Sequence, residues 1–289
     1  MKNNNVLITG ATGTVGTQLI KMLVSRNTPF RALVRNNDQG ALISNLPQAE
    51  VAIGDLSDAY SLQQALQGIE KAFLLTNSLE QSEQLQLNFV NAAHKAGVKH
   101  IVKLSQLAAD EHSPVRFLRY HAVVENRIRE LGMDYTFLRA NLFMQGLTAF
   151  AHYIKYEGQF YGSLGDAAVS AVDVRDIAAV AATALTEPGH ENKIYPITGP
   201  AAITHFQMAE ILSDVLGTNI RYVDLTPEQL QGALTVAGFP GWQVGGLIED
   251  YAHYARGEAA DVFNTVKDIT GQRAIDFEQF ALDYKQYFC

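Results

Sequence analysis

Three glycines near the start of the chain, separated from one another by two residues, constrain its fold more than any other feature. Gly10, Gly13 and Gly16 follow a run of apolar or β-branched residues at 6–9 and precede a helix-like run at 18–25. In a strand–turn–helix unit of this kind, the first glycine permits the tight turn, and the second lets the backbone approach a pyrophosphate. The third glycine lets the helix pack closely on the strand. The anion then lies at the positive end of the helix dipole. The pattern predicts dinucleotide binding; the alternative is a glycine-rich turn without a ligand.

Short apolar runs alternate with helical patterns through the first half of the chain. Asp38 and Asp58 are candidate helix caps, and Gly68, Gly97 and Gly132 each close a helical run. Strands that alternate with helices at this spacing predict an α/β fold, a Rossmann-type doubly wound parallel sheet with helices on both faces. The predicted strands are 30–34, 51–53, 72–75, 100–104 and 135–138, and the predicted helices are 57–66, 84–96 and 117–131.

The second half is less regular. It contains predicted strands at 169–172 and 193–198 and a predicted helix at 174–185; beyond Pro200 the predicted helices are 205–216, 226–236, 246–255 and 276–287, with a loop at 238–242. We therefore expect two parts. Residues 1–145 plus 169–199 would form an NAD(P)-binding Rossmann domain, and 146–168 plus 200–289 a smaller, mainly helical substrate or lid lobe over the carboxyl edge of the sheet, where ligands of open α/β sheets bind.

Composition and charge exclude several classes of partner. The formal net charge of −8 and the lack of a basic run argue against a nucleic-acid partner. Cys289 is the only cysteine, so no intrachain disulfide can form, and residues 1–5 show no apolar signal region. The longest apolar stretch, 177–185, is too short to span a bilayer. We expect a cytoplasmic protein with no membrane partner and, because the histidines lack ligand spacing, no metal site.

The end of the second strand indicates which nucleotide binds. An NAD site usually has an acidic residue there to hold the ribose hydroxyls, whereas this chain has Arg35. A guanidinium pairs well with a phosphate and stacks on adenine. The sequence therefore predicts NADP(H), preferred over NAD(H), with a solvated surface arginine as the alternative. Asp38 lies nearby, but capping a helix is the expected role for it.

The spacing Gly-x-x-Gly-x-x-Gly resembles that of extended and atypical short-chain dehydrogenase/reductases. The resemblance implies that the glycine turn holds the pyrophosphate, that the segment after the third strand contacts adenine, and that the small polar residues after the fourth strand contact ribose and phosphate. A plain strand-to-loop transition is the alternative for the last group. The implied cofactor contacts are Gly10, Thr12, Gly13, Thr14, Val15, Gly16, Asp55, Leu56, Thr76, Asn77 and Ser78.

The catalytic pattern of that superfamily is a serine after the fifth strand and a Tyr-x-x-x-Lys pair on the next helix, in which lysine lowers the tyrosine pKa. Ser105 follows the fifth strand, but Tyr120 is followed four positions later by Val124. When the helix is aligned on Glu125 instead, His121 occupies the position of the lysine. Neither register restores the pair, which argues against ordinary alcohol dehydrogenation. Ser105 and His121 remain the candidate catalytic residues. His121 would either donate or accept a hydrogen bond with ribose or substrate, or pack against Glu125 on the same helix face.

Several segments, in order, resemble the NmrA-like branch of this superfamily over nearly the whole chain: His121-x-x-x-Glu125, 135–144, 172–178, 197–200 and 270–280. The resemblance implies an NADPH-dependent reductase of quinones or triphenylmethane dyes, or a redox-sensing regulator with little or no turnover and a protein partner. It also implies that Asn141, Leu142 and Phe143 pass the nicotinamide.

We accordingly expect an NADPH-dependent oxidoreductase that delivers hydride to a quinone, a dye or another electron-poor conjugated acceptor. Such acceptors take hydride without a strong general acid, so a missing Tyr–Lys pair is tolerable. An NADP(H)-sensing protein is the alternative, and a sugar-nucleotide epimerase, which needs the pair, is a weaker one. The oligomeric state stays open. An aromatic substrate would suit a cleft lined by Phe160, Tyr161, Phe239 and Trp242, although core packing explains such residues equally well.

Overall fold

The computed structural model describes residues 6–289. The first five residues, for which the sequence predicts no signal region, lie outside the described part of the chain. Within that part, no helix is both long enough and apolar enough to cross a membrane. The strands are β1 (Val6–Ile8), β2 (Phe30–Val34), β3 (Ala49–Ile53), β4 (Lys71–Leu74), β5 (His100–Gln106), β6 (Asp134–Ala140), β7 (Gln159–Gly162), β8 (Ala168–Val169), β9 (Lys193–Ile197), β10 (Ile203–Thr204) and β11 (Arg221–Asp224).

Helices follow most of the strands, as the alternating pattern predicts. They are α1 (Thr14–Ser25), α2 (Asn37–Ala41), α3 (Ala59–Ala65), α4 (Ser82–Lys95), α5 (Arg116–Glu130), α6 (Ala151–Glu157), α7 (Val174–Thr186), α8 (His205–Leu216), α9 (Pro227–Val236), α10 (Gly241–Ala255), α11 (Thr265–Thr270), α12 (Phe277–Asp283) and α13 (Lys285–Phe288), with a 3₁₀ helix at Met144–Phe150.

The main sheet has seven strands in the order β3-β2-β1-β4-β5-β6-β9. Strand β1 pairs in parallel with both β2 and β4, and β2–β3 and β4–β5 are parallel as well. The strand order reverses between β1 and β4, so the connections after these two strands leave on opposite faces and open a crevice at their carboxyl ends. The predicted Rossmann-type α/β class is confirmed.

The chain divides into two compact units. The first unit runs to His112 and adds Leu118–Arg139 and Ile177–Tyr195. Its core contains a cluster in which apolar side chains of β1, β4 and β5 meet those of α4 and α5. Phe89, Val90, Ile101, Val124 and Phe137 are fully buried there. Because these strands are covered, they are continuous apolar runs rather than alternating ones, which is why the sequence pattern located them.

The second unit comprises Ser113–Phe117, Ala140–Asp176 and Pro196–Cys289. It holds two small sheets, a parallel pair β7–β11 and an antiparallel pair β8–β10, among helices α6 and α8 to α13. Phe160, Leu212 and Phe280 are completely buried in its core.

Four local predictions need correction. Asn36, not Asp38, caps α2, since the Asn36 side chain accepts from the Gln39 N–H. The predicted loop 238–242 is wrong at its end, because α10 begins at Gly241 after Pro240. The predicted strand 169–172 is only β8 plus a single bridge from Val172 to Phe143. The helix predicted at 276–287 is interrupted at Tyr284. Asp58, by contrast, caps α3 as predicted.

Candidate functional site

The glycine turn between β1 and α1 has the backbone geometry of an anion site. Gly10 has a φ of +62°, which favours glycine, and its carbonyl accepts the Gly13 N–H at 3.0 Å. Helix α1 then begins at Thr14 without a side-chain cap. The first amides of a helix, here those of Thr14, Val15 and Gly16, have no acceptor within the helix. Residues 12–14 are exposed, whereas Val15 and Gly16 are buried, so the helix presents its positive end to solvent at Thr14.

Gly16 has a different role from Gly10. A Cβ atom at Gly16 would overlap the carbonyl carbon and oxygen of Gly10, and one at Gly13 would come within 3.2 Å of the same oxygen. Helix α1 therefore packs against the turn so closely that a side chain at Gly16 is excluded. This close approach aims the helix axis at the crevice between β1 and β4.

Thr9 fixes that crevice, a role that the glycine pattern alone does not indicate. Its buried hydroxyl lies 3.1 Å from the Phe73 carbonyl and 3.0 Å from the Leu75 carbonyl, and it accepts the Leu75 N–H at 2.8 Å. One side chain thus ties the end of β1 to the end of β4. The signal in the sequence is a threonine just before the first glycine.

The polar residues after β4 already bond to neighbouring helices. Gln86 donates to the Thr76 hydroxyl at 2.7 Å, and the hydroxyls of Ser78 and Tyr120 lie 3.1 Å apart. The Asn77 carbonyl accepts from the Ser82 hydroxyl, while its side chain is exposed. The three predicted ribose and phosphate contacts therefore lie in a loop at the carboxyl end of β4 that hydrogen bonds hold to the neighbouring helices.

The ends of β2 and β3 are adjacent, since Val34 is in register with Ile53. Arg35 is exposed at the first end, and Asp55 and Leu56 follow the second. Ser57 donates to the Asp55 carboxylate from its N–H at 2.8 Å and its hydroxyl at 2.5 Å. These bonds, with a smaller contribution from the Arg35 charge, lower the pKa of Asp55. The structure thus brings Arg35, Asp55 and Leu56 to the same sheet edge as the glycine turn.

The two candidate catalytic residues lie in a buried polar cluster between β5 and α5. Ser105 donates to the Glu125 carboxylate at 2.6 Å, and Glu125 is fully buried. Arg139 on β6 donates twice to that carboxylate, at 3.1 and 2.7 Å. The Ser105 hydroxyl is therefore held by a carboxylate that a guanidinium neutralises.

His121 contacts a lysine that the sequence analysis did not single out. The Lys103 ammonium lies 2.6 Å from His121 Nδ1, and Lys103 is completely buried. The Tyr120 ring lies next to the His121 ring, with 4.2 Å between centroids. Lys103 enters from the neighbouring strand β5; packing of His121 against Glu125 on one helix face stays a prediction.

The segment 141–143 belongs to the second unit. Asn141 is buried, and its amide donates to the Ser170 hydroxyl at 2.8 Å and the Ala259 carbonyl at 2.9 Å. Its own oxygen accepts the Leu142 N–H at 2.8 Å. The Asn141 side chain thus fixes the course of the chain after β6, and Leu142 and Phe143 are the half-buried residues of the segment.

Of the four aromatic residues predicted to suit a substrate cleft, Phe239 is exposed, and at least two others are engaged in packing. Phe160 is completely buried in the core of the second unit, so core packing is its role. Trp242 packs on Phe117 at 5.5 Å between centroids. A cavity of about 590 Å³ instead opens among the ends of β7 and β11 and helix α10, lined by residues that include Leu164, Asp224 and Tyr251. Among the described residues, no group of three or more His, Cys, Asp or Glu could hold a metal ion.

Comparison with known proteins agrees with the fold. The model of the NmrA-like family matches residues 2–274. The chain belongs to the NmrA-like family. An NAD(P)H azoreductase from Xenophilus azovorans is 38% identical over 276 residues, covering 96% of each chain. Quinone oxidoreductase 2 of Escherichia coli is 31% identical over 269 residues, covering 92% of this chain and 93% of that protein.

Two solved structures of the family are similar along their whole length. The NADPH-dependent quinone oxidoreductase of Escherichia coli, complexed with NADPH, has a TM-score of 0.88 at 29% identity and covers 97% of this chain and 99% of its own. The triphenylmethane reductase of Citrobacter sp., complexed with NADP(H), has a TM-score of 0.85 at 29% identity, covering 98% and 99%. A transcriptional regulator of the family, solved with NADP, has a TM-score of 0.79 at 16% identity, which shows a shared fold.

Proposed function

We propose that this NmrA-like protein is an NADPH-dependent reductase that delivers hydride to a quinone, a dye or another electron-poor conjugated acceptor. The observation that carries the proposal is the glycine turn before α1, in which Gly10 has a positive φ, Gly16 packs against the Gly10 carbonyl and α1 begins without a side-chain cap. The similarity to an azoreductase and to a quinone oxidoreductase over nearly the whole chain supports the reaction class.

NADP(H) fits the residues at this edge of the sheet. The glycine turn, Thr12 and the first amides of α1 would hold the pyrophosphate. Arg35 would pair with the 2′-phosphate, and Asp55 and Leu56 would border adenine. Thr76, Asn77 and Ser78 would contact ribose and phosphate, and Asn141, Leu142 and Phe143 the nicotinamide. When bound, the reduced nicotinamide supplies hydride; the protein supplies binding and orientation.

The domain organisation follows from the same proposal. Residues 1–145 with 169–199 would bind the nucleotide, and 146–168 with 200–289 would bind the acceptor, an aromatic or conjugated small molecule. The Tyr-x-x-x-Lys pair is missing at Tyr120, which Val124 follows four positions on. Acceptors that delocalise the incoming electron pair tolerate this loss, because positioning of the two reactants then contributes most of the rate.

The test is an NADPH-oxidation assay in which purified protein is offered quinones, azo dyes, cationic triarylmethane dyes and aldehydes. The loss of NADPH absorbance measures the reaction. We expect quinones or dyes to be reduced and simple aldehydes not to be. If calorimetry shows that NADPH binds but no acceptor oxidises it, the reductase proposal is overturned and the sensing alternative is favoured. A sensing protein would bind its partner with different affinities in the NADP+ and NADPH forms.

A further inference from the structure

Lys103 is the least expected side chain in the core of the first unit. It lies on the interior strand β5, is 0% exposed, and occupies the strand face that also carries Ser105. Its ammonium donates to the Leu104 carbonyl at 3.1 Å and lies 2.6 Å from His121 Nδ1. A fully buried lysine is rare unless it is paired. Its partner here is an imidazole rather than a carboxylate.

The charges around the pair come from two elements, α5 and β6. Glu125 of α5 attracts the Lys103 ammonium, while Arg139 of β6 repels it. Arg129 of α5 lies 3.4 Å from the Glu125 carboxylate. Burial dominates these effects and lowers the pKa of Lys103 to about 7. Burial, with Lys103 and Arg139 as smaller contributions, also lowers the pKa of His121 well below its ordinary value, so the imidazole is neutral.

The hydrogen bond decides which nitrogen of His121 carries the proton. An ammonium has three donors and no acceptor. A neutral imidazole has one N–H and one bare nitrogen, and the nitrogen that faces an ammonium must be the bare one. With Lys103 as the ammonium, Nδ1 is that nitrogen and the proton resides on Nε2. Lys103 therefore fixes the tautomer of His121.

We propose that Lys103 and His121 form a proton relay to the hydride acceptor. The inference rests on the proposed reductase function and adds the proton source. His121 donates its Nε2 proton to the acceptor oxygen as hydride arrives, and its Nδ1 takes a proton from the Lys103 ammonium. The N–H bond at Nε2 breaks, an O–H bond forms on the acceptor, and Lys103 is left as a neutral amine.

Neither residue suffices alone. A neutral imidazole is too weak an acid to release its N–H proton unless the other nitrogen gains one at the same time. Lys103 is buried and acts only through His121, as a positioning residue that also stores the proton. Solvent returns one proton to the pair after each turnover. A quinone thus receives hydride from NADPH and a proton from the relay and becomes a hydroquinone.

Two acceptors separate the relay from cofactor binding. Negative charge develops on a quinone oxygen as hydride arrives, so a proton from the relay speeds that step, whereas a cationic triarylmethane dye accepts hydride at carbon and takes up no proton. We expect Lys103→Gln to slow quinone reduction by about a hundredfold and to leave dye reduction and NADPH affinity near wild type. The glutamine amide still donates to Nδ1 but has no proton to release. Lys99→Met, at an exposed lysine just before β5, is the matched control and should change neither rate.

A second readout does not depend on turnover. The ¹⁵N NMR signals of His121 in the nucleotide-free protein should show the Nε2–H tautomer in wild type and in Lys103→Gln, and a mixture in Lys103→Met. The wild-type rate with quinone should also fall as pH rises through about 7, while the rate with dye stays level. If Lys103→Met fails to fold, the glutamine variant and the NMR signals carry the test.

The outcomes are distinguishable. Equal slowing of quinone and dye by Lys103→Gln would overturn the relay and leave the reductase intact. Full quinone activity in Lys103→Gln would also overturn the relay, because Lys103 would then only fix the tautomer of His121. An Nδ1–H tautomer of His121 in the wild-type protein would overturn the relay as well. If wild type reduces neither acceptor, the proposed function fails, and the relay fails with it.

Discussion

Arg139 of β6 donates two hydrogen bonds to the carboxylate of Glu125 in α5, at 3.1 and 2.7 Å. The carboxylate is fully buried, whereas the guanidinium side chain is 23% exposed. Ser105 and Arg129 contact the same carboxylate. This one anion therefore offsets the positive charge of Lys103 and of the two arginines in the core between β5, β6 and α5.

Glu125→Gln should destabilise the protein by about 3 kcal/mol, because breaking a buried ion pair leaves the partner charge uncompensated. Urea unfolding followed by circular dichroism measures the free energy of unfolding. Glu130→Gln is the control on the same helix, since that side chain is 63% exposed and pairs with Arg127 at the surface. It should cost less than about 1 kcal/mol. Equal effects of the two substitutions would contradict the role given to Glu125.

The elements of the main sheet were predictable because buried parallel strands produce short apolar runs in the sequence. The predicted strand 30–34 coincides with β2, and the predicted helix 205–216 with α8. Each is a compact apolar or periodic run with clear turn residues at its ends. Pattern and fold agree where one local rule dominates.

The start of α10 was not predictable, because tertiary packing overrides the local signal. Glycine and proline at 238–241 indicate a loop, yet the helix begins at Gly241. Gly245 and Gly246 lie so close to Arg116 and Phe117 that a Cβ at either position would overlap those side chains. The glycines in this helix serve close packing within the second unit, and a single sequence does not show that partner.

The contact between Lys103 and His121 could not be predicted from the sequence for a similar reason. The sequence shows Lys103 within an apolar strand and His121 within a helical pattern, eighteen positions apart. Only the packing of α5 on β5 places the two side chains in contact. The glycine turn, in contrast, was predictable because all its parts are local. Its role as a nucleotide site stays a prediction.

Gly16→Ala should abolish measurable NADPH binding and cost about 1–3 kcal/mol, since the added methyl group overlaps the Gly10 carbonyl and pushes α1 away from the turn. Calorimetric titration with NADPH and urea unfolding measure the two effects. Gly232→Ala is the matched control: it lies in the exposed middle of α9, with nothing within 4 Å of the added Cβ. It should stabilise by about 0.5–1 kcal/mol. Normal NADPH affinity in Gly16→Ala would refute the packing argument.

Arg35→Glu should weaken NADPH binding about tenfold to a hundredfold, because a charge-assisted hydrogen bond to the 2′-phosphate is replaced by repulsion. NADH lacks that phosphate, so its affinity should change little. Dissociation constants for both nucleotides provide the comparison. Lys95→Glu, an exposed reversal of the same charge in the last turn of α4, should affect neither nucleotide. Equal weakening of NADPH and NADH by Arg35→Glu would rule out the phosphate contact.

Asp176, in the first turn of α7, predicts a pH dependence of stability. It is 6% exposed, and its carboxylate accepts the Ile275 N–H at 2.8 Å. Burial, and to a smaller degree the charge of Asp173, raises the pKa of Asp176 from 3.8 to about 7. The folded state thus binds more protons than the unfolded state between these two values. Asp176 therefore stabilises the fold least above about pH 7, and its contribution declines as pH rises through this window.

Asp176→Asn removes the ionisation and keeps an oxygen to accept the Ile275 N–H. Relative to wild type, the variant should gain about 1–3 kcal/mol at about pH 8 and nearly nothing at about pH 4. Asp173→Asn is the contrasting substitution, because Asp173 is fully buried and binds the Arg175 guanidinium at 2.8 Å. Its loss should destabilise at both pH values by about 1–3 kcal/mol. Thermal unfolding across the pH range measures both variants. A stability difference between Asp176→Asn and wild type that is the same at both pH values would show that Asp176 does not titrate in this window.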